Sequence, residues 1–387
     1  VVLIDEYDKP ILDVLDTRLE TEVDGNRMLL EDRNRGILKG FYSVFKAADE
    51  HLQFVFLTGV TKFSQVSVFS GFNQPKDISM DGRYETLCGI TQEELESYFA
   101  EAIVAMAAKR KYGVEEIKQL LKRQYDGYHF GEELVDVYNP FSLLNAFDSM
   151  RIQDYWFQSG TPTYLRLLNH TRENLDELTG RYYDPREFVD YKADVEKPLP
   201  MIYQSGYLTI KDYNVRRNTF LLDFPNNEVK SGFLTMIASD YLKPKVRVNN
   251  WVLNVVDALE AGDSEQFRVL LTSFLSDIPY TMRRKENERE RERYFHYTFY
   301  LLMRLVSVYT VYTEKQQSEG RVDCVIETDA HVYIFEFKLD GTADEALRQI
   351  EEKGYALPYL NDRRQLHCVG VSFSSETGTV DDWEVIE

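Results

Sequence analysis

Two charged residues interrupt a predicted strand near the carboxyl end of the sequence. In the stretch HVYIFEFKLD, Glu336 and Lys338 stand one residue apart within an apolar and aromatic run. Side chains two positions apart on a strand point to the same face of a sheet. A carboxylate and an ammonium therefore share one face, while Phe335 and Phe337 pack on the other. Such a face suits a metal ion, a water molecule and a phosphate that meet at one place.

A second carboxylate lies in the preceding predicted strand. Asp323 belongs to the stretch GRVDCVIE, and an antiparallel hairpin that turns around residues 328–331 would set it beside Glu336. Two carboxylates from adjacent strands form an oxygen-rich site of the kind that binds Mg²⁺ or Mn²⁺. Lys338 would then neutralise a phosphate oxygen or help to deprotonate a water molecule. The pattern predicts that a divalent metal ion, a water molecule and a phosphate meet on the polar face of this strand.

An alternative interpretation of these residues needs no chemistry. Asp323, Glu336 and Lys338 would form cross-strand ion pairs on a solvated sheet face, as is common on antiparallel strands. The dense aromatic residues around the two charges argue against this, because they are typical of a central strand. A buried charge requires a partner or a metal, so we favour the catalytic interpretation.

The C-terminal part of the chain has the periodicity of a small mixed domain. A charged helical pattern comes first, and three β-branched strand patterns follow it. A second helical pattern and a last strand complete the order α-β-β-β-α-β. We place these elements at about 286–305, 306–315, 321–327, 332–339, 343–353 and 365–373.

The spacing Asp323-x₁₂-Glu336-x-Lys338 in this order of elements resembles the PD-(D/E)XK nuclease superfamily. Val322 stands where that family often has a proline before the aspartate. The resemblance implies a divalent metal cofactor, Mg²⁺ or Mn²⁺, held by Asp323 and Glu336. It also implies a nucleic acid substrate, for which we expect DNA.

The same resemblance implies three further site residues. The family commonly adds a glutamate from the helix before the sheet, for which Glu292 is our candidate, with Glu288 and Glu290 as close competitors. A later helix often presents a glutamine and an aromatic residue to the site. Gln349 and Tyr355, in ALRQIEEKGY, fit that placement.

The N-terminal part of the chain has the pattern of a parallel α/β sheet. Two continuous apolar runs, at 1–6 and 51–60, predict buried strands with helices between them. A Thr91…Glu94 capping box predicts the start of a long helical stretch. The predicted helices are at 11–19, 36–48, 90–128 (broken near Gly113) and 139–149.

The opening residues VVLIDE end a strand in an Asp-Glu pair. With FLTGVTKFS, YDGYHF, YNPFSLL, YQSGYLTI and DFPNNEV, this stretch resembles the bacterial AAA-ATPase-like proteins that carry a C-terminal PD-(D/E)XK domain. The resemblance covers nearly all of the chain and implies that Asp5 and Glu6 are the Walker B pair of a P-loop ATPase. It implies a sensor-like role for Thr58, and a cationic role for Lys62 that we do not adopt.

A phosphate-binding loop of the form G-x-x-x-x-G-K-[ST] does not occur in the 387 residues. Phosphates need that backbone cradle and its lysine. In the family the loop precedes the Asp-Glu strand, so we expect it before Val1 in an intact protein. We expect no ATP hydrolysis, and therefore no use of ATP, from these residues alone.

The middle of the chain carries frequent turn signals. Two aromatic, β-branched runs around 214–218 predict a β-hairpin, and the surrounding pattern resembles a winged-helix-like module with an interdomain or partner-binding role. We divide the chain into an AAA-ATPase-like core remnant with a helical lid, this middle domain, a helical linker and a nuclease-like domain, at 1–150, 151–250, 251–279 and 280–387.

Bulk composition excludes some classes of function. The net charge of −20 argues against a broad, non-specific coat on nucleic acid. The three cysteines are widely spaced, which fits a reducing cytoplasm better than a disulfide or zinc framework. No apolar run reaches the length of a membrane span. We expect a cytoplasmic protein that does not enter a membrane.

These observations predict a multidomain α/β protein. It combines a partial P-loop ATPase parallel sheet, a helical and winged-helix-like middle, and a restriction-endonuclease-like C-terminal domain. The expected function is metal-dependent cleavage of nucleic acid, coupled in the intact protein to an ATPase. The alternative is a non-catalytic regulatory or scaffolding protein in which the ATPase-like switch and the nuclease-like fold act as binding modules. For either function we also consider a homo-oligomer, or a protein partner bound through the middle domain.

Overall fold

The computed structural model divides the chain into two compact units, Val1–Val229 and Lys230–Glu387. The mixed helix and strand content confirms the α/β class. The four-part division of the sequence stays a prediction. The structure describes residues 1–14, 17–23, 25–60, 75–156, 178–189, 198–242, 248–278, 298–299, 301–306, 311–313, 316–317, 320–321 and 323–387.

The described part of the first unit contains nine strands and eight helices. The strands are β1 (Val2–Ile4), β2 (Glu20–Val23), β3 (Asn26–Leu29), β4 (Val55–Leu57), β5 (Ile90–Thr91), β6 (Val137–Tyr138), β7 (Arg181–Tyr183), β8 (Thr209–Asn214) and β9 (Thr219–Asp223). The helices are α1 (Lys9–Leu12), α2 (Leu30–Ala47), α3 (Gln92–Tyr98), α4 (Ala100–Arg110), α5 (Val114–Tyr125), α6 (Pro140–Ser149), α7 (Pro185–Phe188) and α8 (Leu199–Gln204).

The second unit is built on a longer sheet. A helix α9 (Asn227–Leu242) spans the boundary between the units. The remaining elements are α10 (Val248–Glu260), α11 (Ser264–Asp277), β10 (Val311–Thr313), β11 (Gln316–Gln317), β12 (Gly320–Arg321), β13 (Cys324–Glu327), β14 (His331–Leu339), α12 (Ala343–Glu352), β15 (Gln365–Phe373) and β16 (Val380–Ile386).

The two predicted N-terminal strands pair in parallel. Strand β1 lies beside β4, with Ile4 opposite Leu57. Behind them the buried side chains of Tyr7, Ile11 and Tyr42 form one apolar cluster. The predicted parallel pairing is confirmed.

The helix predicted at 11–19 is wrong beyond its first residues. Helix α1 ends at Leu12, and the chain then forms the antiparallel hairpin β2–β3. The sequence carries the signal for this hairpin, because an Asp-Gly dipeptide at 24–25 favours a tight turn. Gly25 has φ +80°, a conformation that glycine adopts without steric cost.

The helical stretch that begins at residue 92 is confirmed with its cap. The Thr91 side chain accepts a hydrogen bond from the Glu94 amide, and the Glu94 carboxylate accepts one from the Thr91 amide. The stretch is three helices, α3 to α5, and one break is at Gly113 as predicted. It ends at Tyr125, three residues before the predicted end.

The predicted hairpin in the middle of the chain is confirmed. Strands β8 and β9 are antiparallel, with Asn214 opposite Thr219. Strand β7 extends them to a three-stranded sheet in the order β7-β9-β8. The helix predicted at 251–279 is two helices, because Gly262 has φ +75° and Asp263 caps a new helix by accepting from the Gln266 amide.

The C-terminal sheet has five strands in the order β10-β13-β14-β15-β16. Strands β13 and β14 form the predicted antiparallel hairpin, with Cys324 opposite Phe335. Strand β15 runs parallel to β14 and places Gly370 beside Glu336. Strand β16 pairs with β15 and was not predicted, because three acidic residues interrupt the apolar ones in its sequence VDDWEVI. Most of the helix predicted at 286–305 lies outside the described residues. In this region the structure describes residues 298–299 and 301–306, and these are helical.

The two faces of strand β14 are covered differently, as the alternation predicts. On one face, Phe335 and Phe337 contact Phe299, and Phe335 also contacts Phe267. On the other face, the side chain of Ile334 packs with helix α12. Glu336 and Lys338 continue along this second face, under α12.

Gly370 allows helix α12 to approach the sheet closely. A Cβ atom at this position would overlap the carbonyl oxygen of Ala343 and crowd the side chain of Leu347. We expect Gly370→Ala to destabilise the second unit by about 1–3 kcal/mol, the usual effect of overpacking a core. Thermal unfolding measures this, with Gly36→Ala as the control because the space around Gly36 is open. Equal stability of the Gly370→Ala variant and the wild type would contradict this packing.

In the part of the chain that the structure describes, no helix is long and apolar enough to cross a membrane. Cys88, Cys324 and Cys368 are all among the described residues, and they form no disulfide with one another.

Candidate metal-dependent active site

Asp323 lies one residue before β13 and reaches across to the next strand. Its carboxylate oxygen Oδ2 accepts a hydrogen bond from the backbone amide of Phe337 at 2.9 Å. This contact fixes the aspartate beside the backbone between Glu336 and Lys338. The structure therefore brings together the two predicted carboxylates and the predicted lysine.

Glu336 is 2% exposed, although it is an ionisable residue. Its oxygen Oε1 accepts a hydrogen bond from the side-chain amide of Gln349 and lies 3.7 Å from the ammonium of Lys338. Its other oxygen, Oε2, is buried and has no hydrogen-bond partner among the described residues. A buried carboxylate oxygen without a partner is costly. A cation bound at this oxygen would remove that cost.

Gln349 links the two charges on the strand. It projects from α12, donates to Glu336 through its amide nitrogen, and accepts from the Lys338 ammonium through Oε1 at 2.5 Å. Both ends of the amide are therefore assigned by their partners. Gln349 holds the lysine and the glutamate in one fixed arrangement.

Tyr355 follows α12 and is almost fully buried, at 1% exposed. Burial and the nearby carboxylate of Glu336 raise the pKa of its hydroxyl, while a hydrogen bond with Gln349 acts in the opposite direction. Tyr355 therefore lies against the same group of side chains. The structure brings both residues implied for the later helix to the site.

The start of helix α12 is fixed by residues that the sequence reasoning missed. The Thr342 side chain accepts from the Glu345 amide, and Asp382 on β16 accepts from the Ala343 amide at 2.8 Å. The Thr-x-x-Glu spacing at 342–345 is a recognisable helix start. No signal in the sequence marks Asp382, since its partner becomes near only once β16 has paired.

The electrostatics of the site favour binding of a cation. Burial, and then the negative charge of Asp323, raise the pKa of Glu336 to about 8, while the Lys338 ammonium opposes this shift. The described residues contain no group of three or more His, Cys, Asp or Glu side chains placed to hold a metal ion. Two carboxylates with a phosphate and water are sufficient for Mg²⁺, which keeps several waters in its protein sites. The residues present fit a hard divalent ion.

Glu292, together with its competitors Glu288 and Glu290, lies outside the described residues. Its predicted part in the site therefore stays a prediction. Lys62 also lies outside them.

The predicted Walker B and sensor residues lie together at the ends of β1 and β4. The Thr58 hydroxyl donates to the Asp5 carboxylate, and the Tyr7 amide donates to the Thr58 carbonyl at 2.9 Å. Glu6 follows Asp5 with φ +50°, an uncommon conformation for this residue. These contacts join the two strand ends, and their roles toward a nucleotide stay predictions.

Asp8 is a further acidic residue in this region that the sequence reasoning did not single out. It is fully buried, and its carboxylate accepts a hydrogen bond from the Val60 amide at 3.2 Å. The third acid in the run DEYDKP was the available signal. This hydrogen bond from Val60 to Asp8 connects the loop after β1 with the loop after β4.

The raised pKa of Glu336 predicts how the metal-free protein responds to pH. A carboxyl whose pKa is higher in the folded state stabilises the protein below its unfolded pKa, and this stability is lost as the pH rises toward 8. Glu336→Gln, which stays neutral, should therefore be about 1–4 kcal/mol more stable than the wild type at pH 8.5, because a change of one in pKa corresponds to about 1.4 kcal/mol. At pH 5 the two should unfold alike. Thermal unfolding in EDTA at both pH values measures this, and an equal difference at both would contradict the shift.

Gln349→Ala removes the link between Glu336 and Lys338. We expect metal affinity and cleavage rate to fall by about 10-fold to 100-fold, as for other groups that orient metal ligands. Gln349→Glu should slow cleavage at least as much, because a carboxylate cannot donate the hydrogen bond that Glu336 accepts from Gln349. Titration with Mn²⁺ measures the affinity, with the exposed Glu352→Gln on the same helix as control. Unchanged affinity in Gln349→Ala would contradict the positioning role.

Comparisons with known proteins agree with this geometry. Residues 290–383 match the PD-(D/E)XK nuclease superfamily, and residues 1–69 match the family described as predicted AAA-ATPase. The chain is 34% identical over 385 residues to the "Uncharacterized protein in vnfD 5'region" of Azotobacter chroococcum mcd 1, an alignment that covers 98% of this chain and 70% of that protein. No solved structure matches the chain.

Proposed function

This chain belongs to the family of AAA-ATPase-like proteins that carry a C-terminal PD-(D/E)XK nuclease superfamily domain, and from that premise we propose that it is a metal-dependent nuclease. The substrate is nucleic acid, with DNA as the expected form, and the reaction is hydrolysis of a phosphodiester bond. One observation carries the proposal. Asp323, Glu336 and Lys338 meet on the polar face of the sheet, with a buried oxygen of Glu336 that lacks a partner among the described residues.

Nucleases of this superfamily generally use divalent metal ions. When bound, Mg²⁺ or Mn²⁺ would stabilise negative charge on the phosphate oxygens. It would also lower the pKa of a water molecule. Asp323 and Glu336 are the residues that would hold the ion. Glu292 is the further carboxylate that we propose for the same site.

Lys338 acts on the phosphate and the attacking water. Its side chain is 27% exposed, so it is partly open to solvent, and its ammonium donates a hydrogen bond to Gln349. A cation at this position stabilises the negative charge that develops on the phosphate oxygens. Gln349 and Tyr355 maintain this arrangement and exclude bulk water from the buried side of Glu336.

The N-terminal residues Asp5, Glu6 and Thr58 form the second part of the proposal. Their geometry is that of two parallel strand ends joined by a Thr–Asp hydrogen bond. We propose that they belong to an ATPase module that is coupled to the nuclease. Coupling to ATP requires a phosphate-binding loop in addition to these residues.

An assay on several substrates tests the proposed reaction. The protein is incubated with linear duplex, circular duplex and single-stranded DNA and with RNA, each with Mg²⁺, with Mn²⁺ or with EDTA. Cleavage of at least one substrate that depends on the metal supports the nuclease. Binding of nucleic acid without cleavage under every condition would instead favour the regulatory or scaffolding function.

A further inference from the structure

The tip of the β8–β9 hairpin carries two adjacent arginines. Arg216 and Arg217 are exposed, and Val215 beside them is 76% exposed. Within the described part of the chain, neither guanidinium forms an ion pair or a hydrogen bond. The chain carries a net charge of −20, yet these two neighbouring cations have no acidic partner among the described residues.

The tip is held in one conformation. The Arg217 amide donates to the Asn214 carbonyl and side chain, each at 3.2 Å, and the Tyr213 hydroxyl donates to the Asn218 side chain at 3.0 Å. Asn218 has φ +50°, a left-handed conformation that asparagine tolerates better than most residues. These bonds close a four-residue loop of the type built around a tight turn. The two arginines are therefore presented from a fixed backbone.

The base of the hairpin is anchored to the rest of the first unit. Lys211 on β8 donates to the carbonyls of Gly127 and Pro225, at 2.7 Å and 2.9 Å. Thr209 exchanges hydrogen bonds with the backbone of His129, at 2.8 Å and 2.9 Å. A tip that projects from such a base does not need to be ordered when it meets a partner, which reduces the entropic cost of binding.

Two acids on the same three-stranded sheet and the loop beside it are engaged elsewhere. Asp184 pairs with Arg186, and Asp212 accepts from the Tyr182 hydroxyl. Among the described residues, no acid therefore neutralises the charge of Arg216 and Arg217. Guanidinium groups match phosphate oxygens with two parallel hydrogen bonds, whereas an ammonium presents only a point charge.

We propose that the β8–β9 hairpin tip is a nucleic-acid contact that grips the sugar–phosphate backbone through Arg216 and Arg217, with Val215 against the groove wall. The inference assigns substrate binding to residues outside the nuclease-like domain. Its choice of nucleic acid over another polyanion rests on the proposed function. Phosphate contacts of this kind fix the position of a protein on a duplex without reading its sequence.

Binding is measured with the full chain in EDTA, so that cleavage does not interfere. The probe is a fluorescent 30-base-pair DNA duplex, titrated at several salt concentrations. Arg216→Ala/Arg217→Ala should weaken binding by about 10-fold to 100-fold, the effect of losing two charge-assisted contacts. The slope of log K against log salt should fall by about 1–2, since each phosphate contact contributes about 0.9. Arg216→Lys/Arg217→Lys should retain the slope and lose part of the affinity.

A matched control separates this site from general charge. Lys109→Ala/Arg123→Ala removes the same charge from exposed helix positions of the first unit, and it should leave affinity and slope close to wild type. Equal losses in the control and the hairpin variant would overturn the proposal, as would wild-type affinity in the hairpin variant. Binding of the wild type to anionic phosphatidylserine vesicles but not to DNA would also overturn it. Because this readout needs no cleavage, the hairpin contact stands even if the nuclease assay shows no activity, and falls independently of it.

Discussion

Lys338→Ala should reduce the rate of phosphodiester cleavage by about 100-fold to 1,000-fold, the usual effect of removing a group that stabilises developing charge. The lysine lies on the polar face of β14, 3.7 Å from Glu336 and hydrogen-bonded to Gln349. No other described lysine or arginine side chain bonds to Glu336 or Gln349. Replacement of Lys338 by alanine therefore removes the cation that we place beside the phosphate.

The measurement is the initial rate of cleavage of the preferred substrate at saturating metal. Lys353→Ala is the matched control, because Lys353 is an exposed lysine at the end of α12. It should cleave at the wild-type rate. Metal affinity should change little in Lys338→Ala, since the carboxylates remain. Equal activity of Lys338→Ala and wild type would remove Lys338 from the reaction.

Loss of either carboxylate should abolish both metal binding and cleavage. Glu336→Gln keeps the size of the side chain and the hydrogen bond from Gln349, but it removes the charge that a divalent ion needs. Asp323→Asn does the same at the other strand while it keeps an oxygen for the Phe337 amide. Residues that only hydrogen-bond to a metal ligand alter metal affinity by about 10-fold to 100-fold. Loss of a direct ligand should therefore lower the affinity by more than about 100-fold.

Calorimetric titration with Mn²⁺ at pH 8.5 measures this effect. Glu351→Gln, on the exposed side of α12, is the control and should bind as the wild type does. Thermal unfolding gives a second readout, because an ion that binds only the folded state raises its stability. The wild type should gain stability from Mn²⁺, and Glu336→Gln should not. A normal titration in Glu336→Gln would show that the ion binds elsewhere.

The juxtaposition of Asp323, Glu336 and Lys338 could be predicted from the sequence because the pattern of their strands is local and strongly alternating. A strand with apolar residues on both faces and two charges on one face has few alternatives in a packed sheet. The hairpin from Asp323 to Glu336 followed from a short turn, and its register matched the prediction. Gln349 and Tyr355 came from a family resemblance, and the structure brings both to the site.

Other features depended on contacts distant in sequence. Strand β16 is identified by its pairing with β15, and Asp382 reaches helix α12 only through that pairing. The bond from Gln349 to both charges likewise requires the close approach that Gly370 permits. The β2–β3 hairpin was not predicted, although its Asp-Gly dipeptide is a local signal for a tight turn.

The most direct test is to locate the ion itself. Crystals grown with Mn²⁺ and the Lys338→Ala variant bound to a short DNA duplex would give an anomalous signal at any manganese site. We expect one peak about 2.0–2.3 Å from carboxylate oxygens of both Asp323 and Glu336, the range expected for a hard divalent ion. An anomalous peak confined to other carboxylates, or none within reach of Glu336 at saturating Mn²⁺, would contradict it.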